Sequence, residues 1–136
     1  MLMVGLLFAA GPTVAHHSFA MFDRDKQVTL EGTVKEFQWT NPHIFIQLKV
    51  KNAQGADDEW SIEGASPNML FRRGWTHESF KPGDKVTVVV NPLRNGMRGG
   101  YLVIAHLPDG RTLGEMNSRP PGMRVSSERP GVVSTM

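Results

Sequence analysis

With 136 residues, 40% of them apolar and 21% charged, the chain can fold as one domain around a single modest core, and it needs no staple to do so. It contains no cysteine, which excludes disulfide frameworks, CxxC redox chemistry, thiolate nucleophiles and cysteine zinc sites together. The net charge of +2 is too small to argue for a nucleic-acid partner.

Residues 1–15, MLMVGLLFAAGPTVA, read as a signal peptide. The apolar run over 1–10 has the length of a secretory h-region and is too short to span a bilayer. Gly11 and Pro12 break it, and Thr13, Val14 and Ala15 are the small residues a signal peptidase reads. No Lys or Arg precedes the run. Cleavage after Ala15 would leave His16 as the mature amino terminus of a periplasmic protein with no transmembrane segment.

Five strands are predicted after the leader. In the first, over 27–37, Val28, Leu30, Gly32 and Val34 alternate with polar residues, and then Phe37 and Trp39 fall in the opposite phase. A slip beside a strand glycine predicts a bulge and strong coiling, as a small closed barrel needs. Asn41-Pro42 interrupts the ladder. In the second strand Ile44, Ile46, Leu48 and Val50 share one face, while His43, Phe45 and Gln47 share the other. NAQGADD is a turn, and 59–63 is a short third strand with Trp60 and Ile62 inward.

GASPNMLFRRGW predicts a short helix. Ser66 can cap it, Pro67 suits its first position, Met69 and Leu70 can face the core, and Gly74 can end it. KPGD turns into a fourth strand over 85–90. NGMRGG reads as a plain flexible turn before a fifth strand over 101–107, and PDG turns once more towards 111–113. Residues 114–136, rich in proline, serine and glycine, read as a flexible tail. Strand, strand, strand, helix, strand, strand is the layout of an OB-like five-stranded Greek-key barrel, here over residues 16–113. Val34, Ile46, Trp60, Ile62, Val88 and Ile104 are its predicted core.

The segments AHHSFAMFD, EGTVKEFQWTNPHIFIQL, IEGASPNMLFRRGWT, FKPGDKVTV and NGMRGGYL, in that order, resemble an uncharacterised family of exported bacterial proteins, the domain of unknown function 6152. The resemblance covers roughly residues 15–113. It implies an exported small β-protein and no particular activity.

Two of the five histidines, His16 and His17, are adjacent. If His16 is the terminal residue, its amine and imidazole can chelate one ion, and an imidazole from His17 or His43 can complete a set of three nitrogens. Such a set suits Cu(II) or Ni(II) in planar geometry. A cut one residue earlier places His17 third from the amine, which also makes a planar chelate. The bland reading makes the pair a soluble start to the domain, and makes His43 a hydrogen-bonding group that orders the TNPH bend. The spacing matches no compact zinc motif. Met97, Met116 and Met123 are thioethers in predicted loop or tail, a minor clue to Cu(I).

Aromatic and basic residues form the second candidate set. Trp39, Asn41, Arg72, Arg73 and Trp75 could line the binding surface that OB-type barrels carry on strands two and three. The alternative is that Trp60 and Trp75 fill the core, and that Arg72 and Arg73 answer the helix dipole. Catalysis has little basis. Ser66 sits in no nucleophile elbow, and Glu31, Glu36, Glu59 and Glu63 occupy mostly outward strand positions. The expectation is therefore a non-enzymatic binding module for a small ligand or an envelope protein, without nucleic acid. The alternative is a periplasmic copper-binding protein using the terminal histidine and a second one.

Overall fold

The computed structural model describes residues 19–114. The predicted signal peptide, His16, His17, Met116, Met123 and all of the predicted tail but Gly114 lie outside that range. The strands are β1 (Val28–Gln38), β2 (Phe45–Lys51), β3 (Asp57–Glu63), β4 (Lys85–Pro92), β5 (Gly99–His106) and β6 (Thr112–Gly114), with the helix α1 (Pro67–Phe71) between β3 and β4. Strands β3-β2-β1-β4-β5 run in that spatial order, and β3 then pairs with β5 in parallel to close the ring. This is the OB-like five-stranded barrel that the order of segments predicts.

The first strand makes closure possible. Its first half pairs with β4 and its second half with β2, and Gly32 and Thr33 pair with both. A Cβ on Gly32 would lie 2.9 Å from the Lys49 carbonyl oxygen, so the coil of β1 leaves no room there for a side chain. The expected slip is a bulge. Val34 pairs with Leu48 and Glu36 with Gln47, which leaves Lys35 as the extra residue. The bulge rotates Phe37 and Trp39 back onto the inner face, where they pack against the core.

Leu30, Val34, Ile44, Ile46, Leu48, Ile62, Val88, Val90 and Leu102 form the barrel interior. Trp60 is partly buried against it. Ile104 is buried too, but in a separate small cluster with Val89 and Val103, because a register shift in β4–β5 makes Val103 the extra residue. Beyond that shift β5 continues with a partner that the sequence shows only as the stretch after the PDG turn, with no strand assigned to it. Thr112, Leu113 and Gly114 pair with His106, Ala105 and Ile104 as a sixth strand.

Ser66 caps α1, accepting the Met69 amide on its hydroxyl at 3.4 Å, with Pro67 in the first turn. Gly74, at φ +87°, lets the chain reverse so that the Trp75 amide reaches the Leu70 carbonyl at 3.1 Å. One expectation fails here. Leu70 is buried along with Pro67 three residues before it, whereas Met69 is 50% exposed, because Met69 lies about 100° around the helix from Leu70.

NGMRGG also needs correcting. Gly99 and Gly100 are not a flexible turn but the buried first residues of β5, set beside Ser61 and Ile62 at the closure. A Cβ on Gly100 would stand 2.8 Å from both the Asn91 carbonyl oxygen and Val90 Cγ2. The two glycines let three backbones meet where the barrel shuts.

Candidate functional site

Closure of the barrel creates a row of residues on its outer side. Ile62 and Gly100 are paired and face inward, so their neighbours Glu63 and Tyr101, also paired, face outward. Across the next strand Phe45 pairs with Glu63. Phe45, Glu63 and Tyr101 therefore stand side by side on β2, β3 and β5, each half-buried.

His43 joins this row from the link before β2. Its Nδ1 lies 2.9 Å from the Gly64 carbonyl oxygen and 3.3 Å from Glu63 Oε1. The side chains are 24% and 16% exposed, so the contact is shielded from bulk water. The ladder holds the acceptor in place, since the Gly64 amide donates to the Ile44 carbonyl at 3.0 Å and the Ile44 amide to the Ala65 carbonyl at 3.1 Å. The TNPH bend has its own tie: the Thr40 hydroxyl donates to the His43 carbonyl at 3.0 Å. The Asn41–Pro42 peptide within that bend is cis.

The amino-terminal segment reaches the same row. Phe22 bridges Leu93, the Asp23 amide donates to the Pro92 carbonyl at 2.8 Å, and the Arg94 amide and Nε donate to the carbonyls of Met21 and Ala20. This strap lays Phe19 edge-on against Tyr101, with ring centroids 5.2 Å apart, and Phe22 at 5.5 Å from the same ring. The first described residue thus rests one strand away from Glu63 and its partner His43.

One member of the second candidate set is not on the surface. Trp75 is 1% exposed and is a core residue, closed off from any ligand. Its ring packs on Phe80 at 5.6 Å, Phe80 on Phe37 at 5.1 Å, and Phe37 on Trp39 at 5.8 Å. Trp39 is the half-buried outer end of that chain of rings. Asn41 is exposed in the bend, and Arg72 is exposed at the carboxyl end of α1. Arg73 is half-buried, and its Nη1 has no hydrogen-bond partner among the described residues.

Glu63 is the residue that the sequence places wrongly. Its outward phase on β3 predicts solvation, and only the pairing of β2 with β3 shows that it meets His43. An open groove of about 410 Å³ lies elsewhere, past Gly32, Thr33, Lys49, Lys85 and His106, and none of the predicted site residues lines it. Its charges are partly answered from within, as by Lys51 on Asp57 at 2.7 Å, so the His43 row is the better candidate site. No group of three histidine or carboxylate side chains among the described residues could by itself hold a metal ion.

The sequence profile of a family of unknown function matches residues 5–102, most of the chain and all of this row. The chain belongs to the DUF6152 family. No curated protein matches it. Among solved structures this DUF6152 chain is similar to the mitochondrial single-stranded DNA binding protein Rim1 of S. cerevisiae, at 12% identity over 61% of this chain and 93% of that one, with a TM-score of 0.47. So slight a likeness carries no argument about ligands. No helix among the described residues of this DUF6152 chain is long and apolar enough to cross a membrane.

Proposed function

We propose that the protein is an exported, non-catalytic binding module of the cell envelope, acting in the periplasm on a small ligand or another envelope protein. Its binding face is the outer side of the β2–β3–β5 seam. The observation that supports this reading is the half-buried row of Phe45, Glu63 and Tyr101 with His43 at its end, two aromatic rings beside a carboxylate and an imidazole. Ser66, the serine in GASPN, uses its hydroxyl to cap α1, which favours binding over nucleophilic chemistry.

The amino-terminal strap favours a second reading of the same face, a copper site. Phe19 rests on Tyr101, and His17 and His16 precede Phe19 in the sequence by two and three residues. Cleavage after Ala15 would supply an amine and one or two imidazoles on the segment that leads into this strap. Amine and imidazole nitrogens suit Cu(II).

The test uses untagged protein from the envelope fraction, with its mature terminus read by intact mass. Cu(II) is titrated into that protein, into His43→Ala, and into protein with one extra amino-terminal residue. A site built from the terminus and His43 loses affinity in both variants, whereas a chelate confined to the terminal residues ignores His43. Binding weaker than about 1 μM that neither change alters removes the copper reading and leaves the plain binding module. A cytoplasmic chain that still begins at Met1 overturns both.

A further inference from the structure

We infer that the groove on the outer side of β1, apart from the His43 row, is a binding site for a small phosphate monoester. Lys49, Thr33 and Lys85 take the phosphoryl group, and Glu31, Thr87 and His106 meet hydroxyl groups on the body it is attached to. This face is not the β2–β3–β5 seam, so the site stands or falls independently of the reading proposed for that seam.

The strand register builds the site. Leu30 and Val34 are buried in the barrel, so Glu31 and Thr33 face outward from β1. Thr33 pairs with Lys49 on β2 and with Lys85 on β4. One row along, Glu31 pairs with Thr87, and Thr87 pairs with His106 on β5. All six residues line one open groove of about 410 Å³, a volume that suits a small molecule. Two strand spacings set the lysines about 10 Å apart at the sheet, and their flexible stems let both ammonium groups reach the space above Thr33.

The charges decide which end takes which group. Lys35 holds Glu59 at 2.7 Å and Lys51 holds Asp57 at 2.7 Å, while Lys49 acts on those carboxyls only from further off. Lys49 and Lys85 form no ion pair, and the half-buried Thr33 hydroxyl forms no hydrogen bond, among the described residues. Three donors with two positive charges are therefore available from three neighbouring strands. The three terminal oxygens and double charge of a phosphate monoester answer all of them. A monocarboxylate has one charge and two oxygens, and leaves a donor over. Glu31 repels the dianion from the other row and can accept a neutral hydroxyl instead, beside the Thr87 hydroxyl and the His106 ring. The two rows thus fix the direction in which the ligand lies.

The test titrates glycerol phosphate into ¹⁵N-labelled protein at constant low ionic strength, with glycerol and inorganic phosphate as separate arms. Amide shifts should centre on Thr33, Lys49 and Lys85, and glycerol alone should produce none. Affinity should fall about 3- to 10-fold in Lys49→Gln, in Lys85→Gln and in Thr33→Val, whose amide spectra report whether they stay folded. It should hold in Lys85→Arg, and in Arg24→Gln, which removes one positive charge from an exposed turn outside the groove. An equal loss in Arg24→Gln overturns the inference, because binding then follows net charge alone. Affinity retained in any folded groove variant, shifts centred on another face, or no saturable binding by about 10 mM also overturns it. Inorganic phosphate bound as tightly as the ester overturns it too, because the Glu31 row then contributes nothing.

Discussion

On the inner side of the barrel, rings run from Trp75 through Phe80 and Phe37 to Trp39, each in contact with the next. On the outer side Phe19 and Phe22 meet Tyr101, beside Glu63 and Phe45. Composition does not separate the two regions, since both are aromatic and both have cations nearby in sequence. Strand phase separates them. The Lys35 bulge turns Phe37 and Trp39 inward, whereas Phe45 and Tyr101 keep the outward phase set by the inward Ile46 and Leu102 beside them. The inner rings fill space, and the outer ones stand beside hydrogen-bonding groups. The proposed binding face lies in the second region.

The largest expected effect breaks that contrast if it is false. Trp75→Ala should cost about 3–5 kcal/mol, much of the stability of a small domain. Tyr101→Ala should leave the barrel folded, at the cost of its contacts with Phe19 and Phe22. Urea unfolding midpoints of the two variants make the comparison. A Trp75→Ala protein as stable as wild type would return Trp75 to the list of ligand-facing residues.

A smaller effect sharpens the account of closure that sets the outer row. In Gly100→Ala the new methyl meets the Asn91 carbonyl oxygen and the Val90 side chain, both at 2.8 Å, and backbone cannot step aside easily. About 1–3 kcal/mol of destabilisation is expected. Gly99→Ala first meets Leu93 Cδ1 at 2.7 Å, the movable end of a side chain, and should cost less. Equal melting temperatures for the two variants would show that the closure is looser than these distances imply.

Much of this fold is legible in the sequence because a two-residue period registers burial directly. Ile44, Ile46 and Leu48 declare an inner face, and the slip at Phe37 declares a bulge before any pairing is known. The site is less legible because it depends on which strands are neighbours. Nothing in GASPN or TNPH tells that residue 63 will face residue 43, since their contact is set by the β2–β3 register across twenty residues of chain. Gly99 and Gly100 mislead for a related reason: a glycine pair marks a loose turn and a tight crossing equally well, and only the strand against it decides. Met69 misleads because the helix is a single turn, too short for periodicity to show which residue it buries.

The smallest expected effect concerns the rim away from the His43 row, where the charges should tune stability without shaping the site. The Lys35 ammonium donates to Glu59 Oε1 at 2.7 Å, and this bond, with the Lys35 charge, holds the Glu59 carboxyl below its ordinary value of 4.5. A carboxyl depressed in the folded state is more readily ionised there than in the unfolded chain. Its contribution is therefore present above about pH 4.5 and is lost as the pH falls through the lower folded value. Asp57 beside Lys51 and Asp109 beside Arg111 follow the same sign. All three carboxylates are open to solvent, so each contribution is weak and fades with added salt. Lys35→Met should lower the melting temperature slightly at pH 7 and low ionic strength, by less than Gly99→Ala does. The difference from wild type should shrink as the pH falls and vanish at a low pH where Glu59 is protonated in both folded and unfolded chains. A gap that persists at that pH would mean that Lys35 supports the bulge of β1 by packing its stem rather than by its charge.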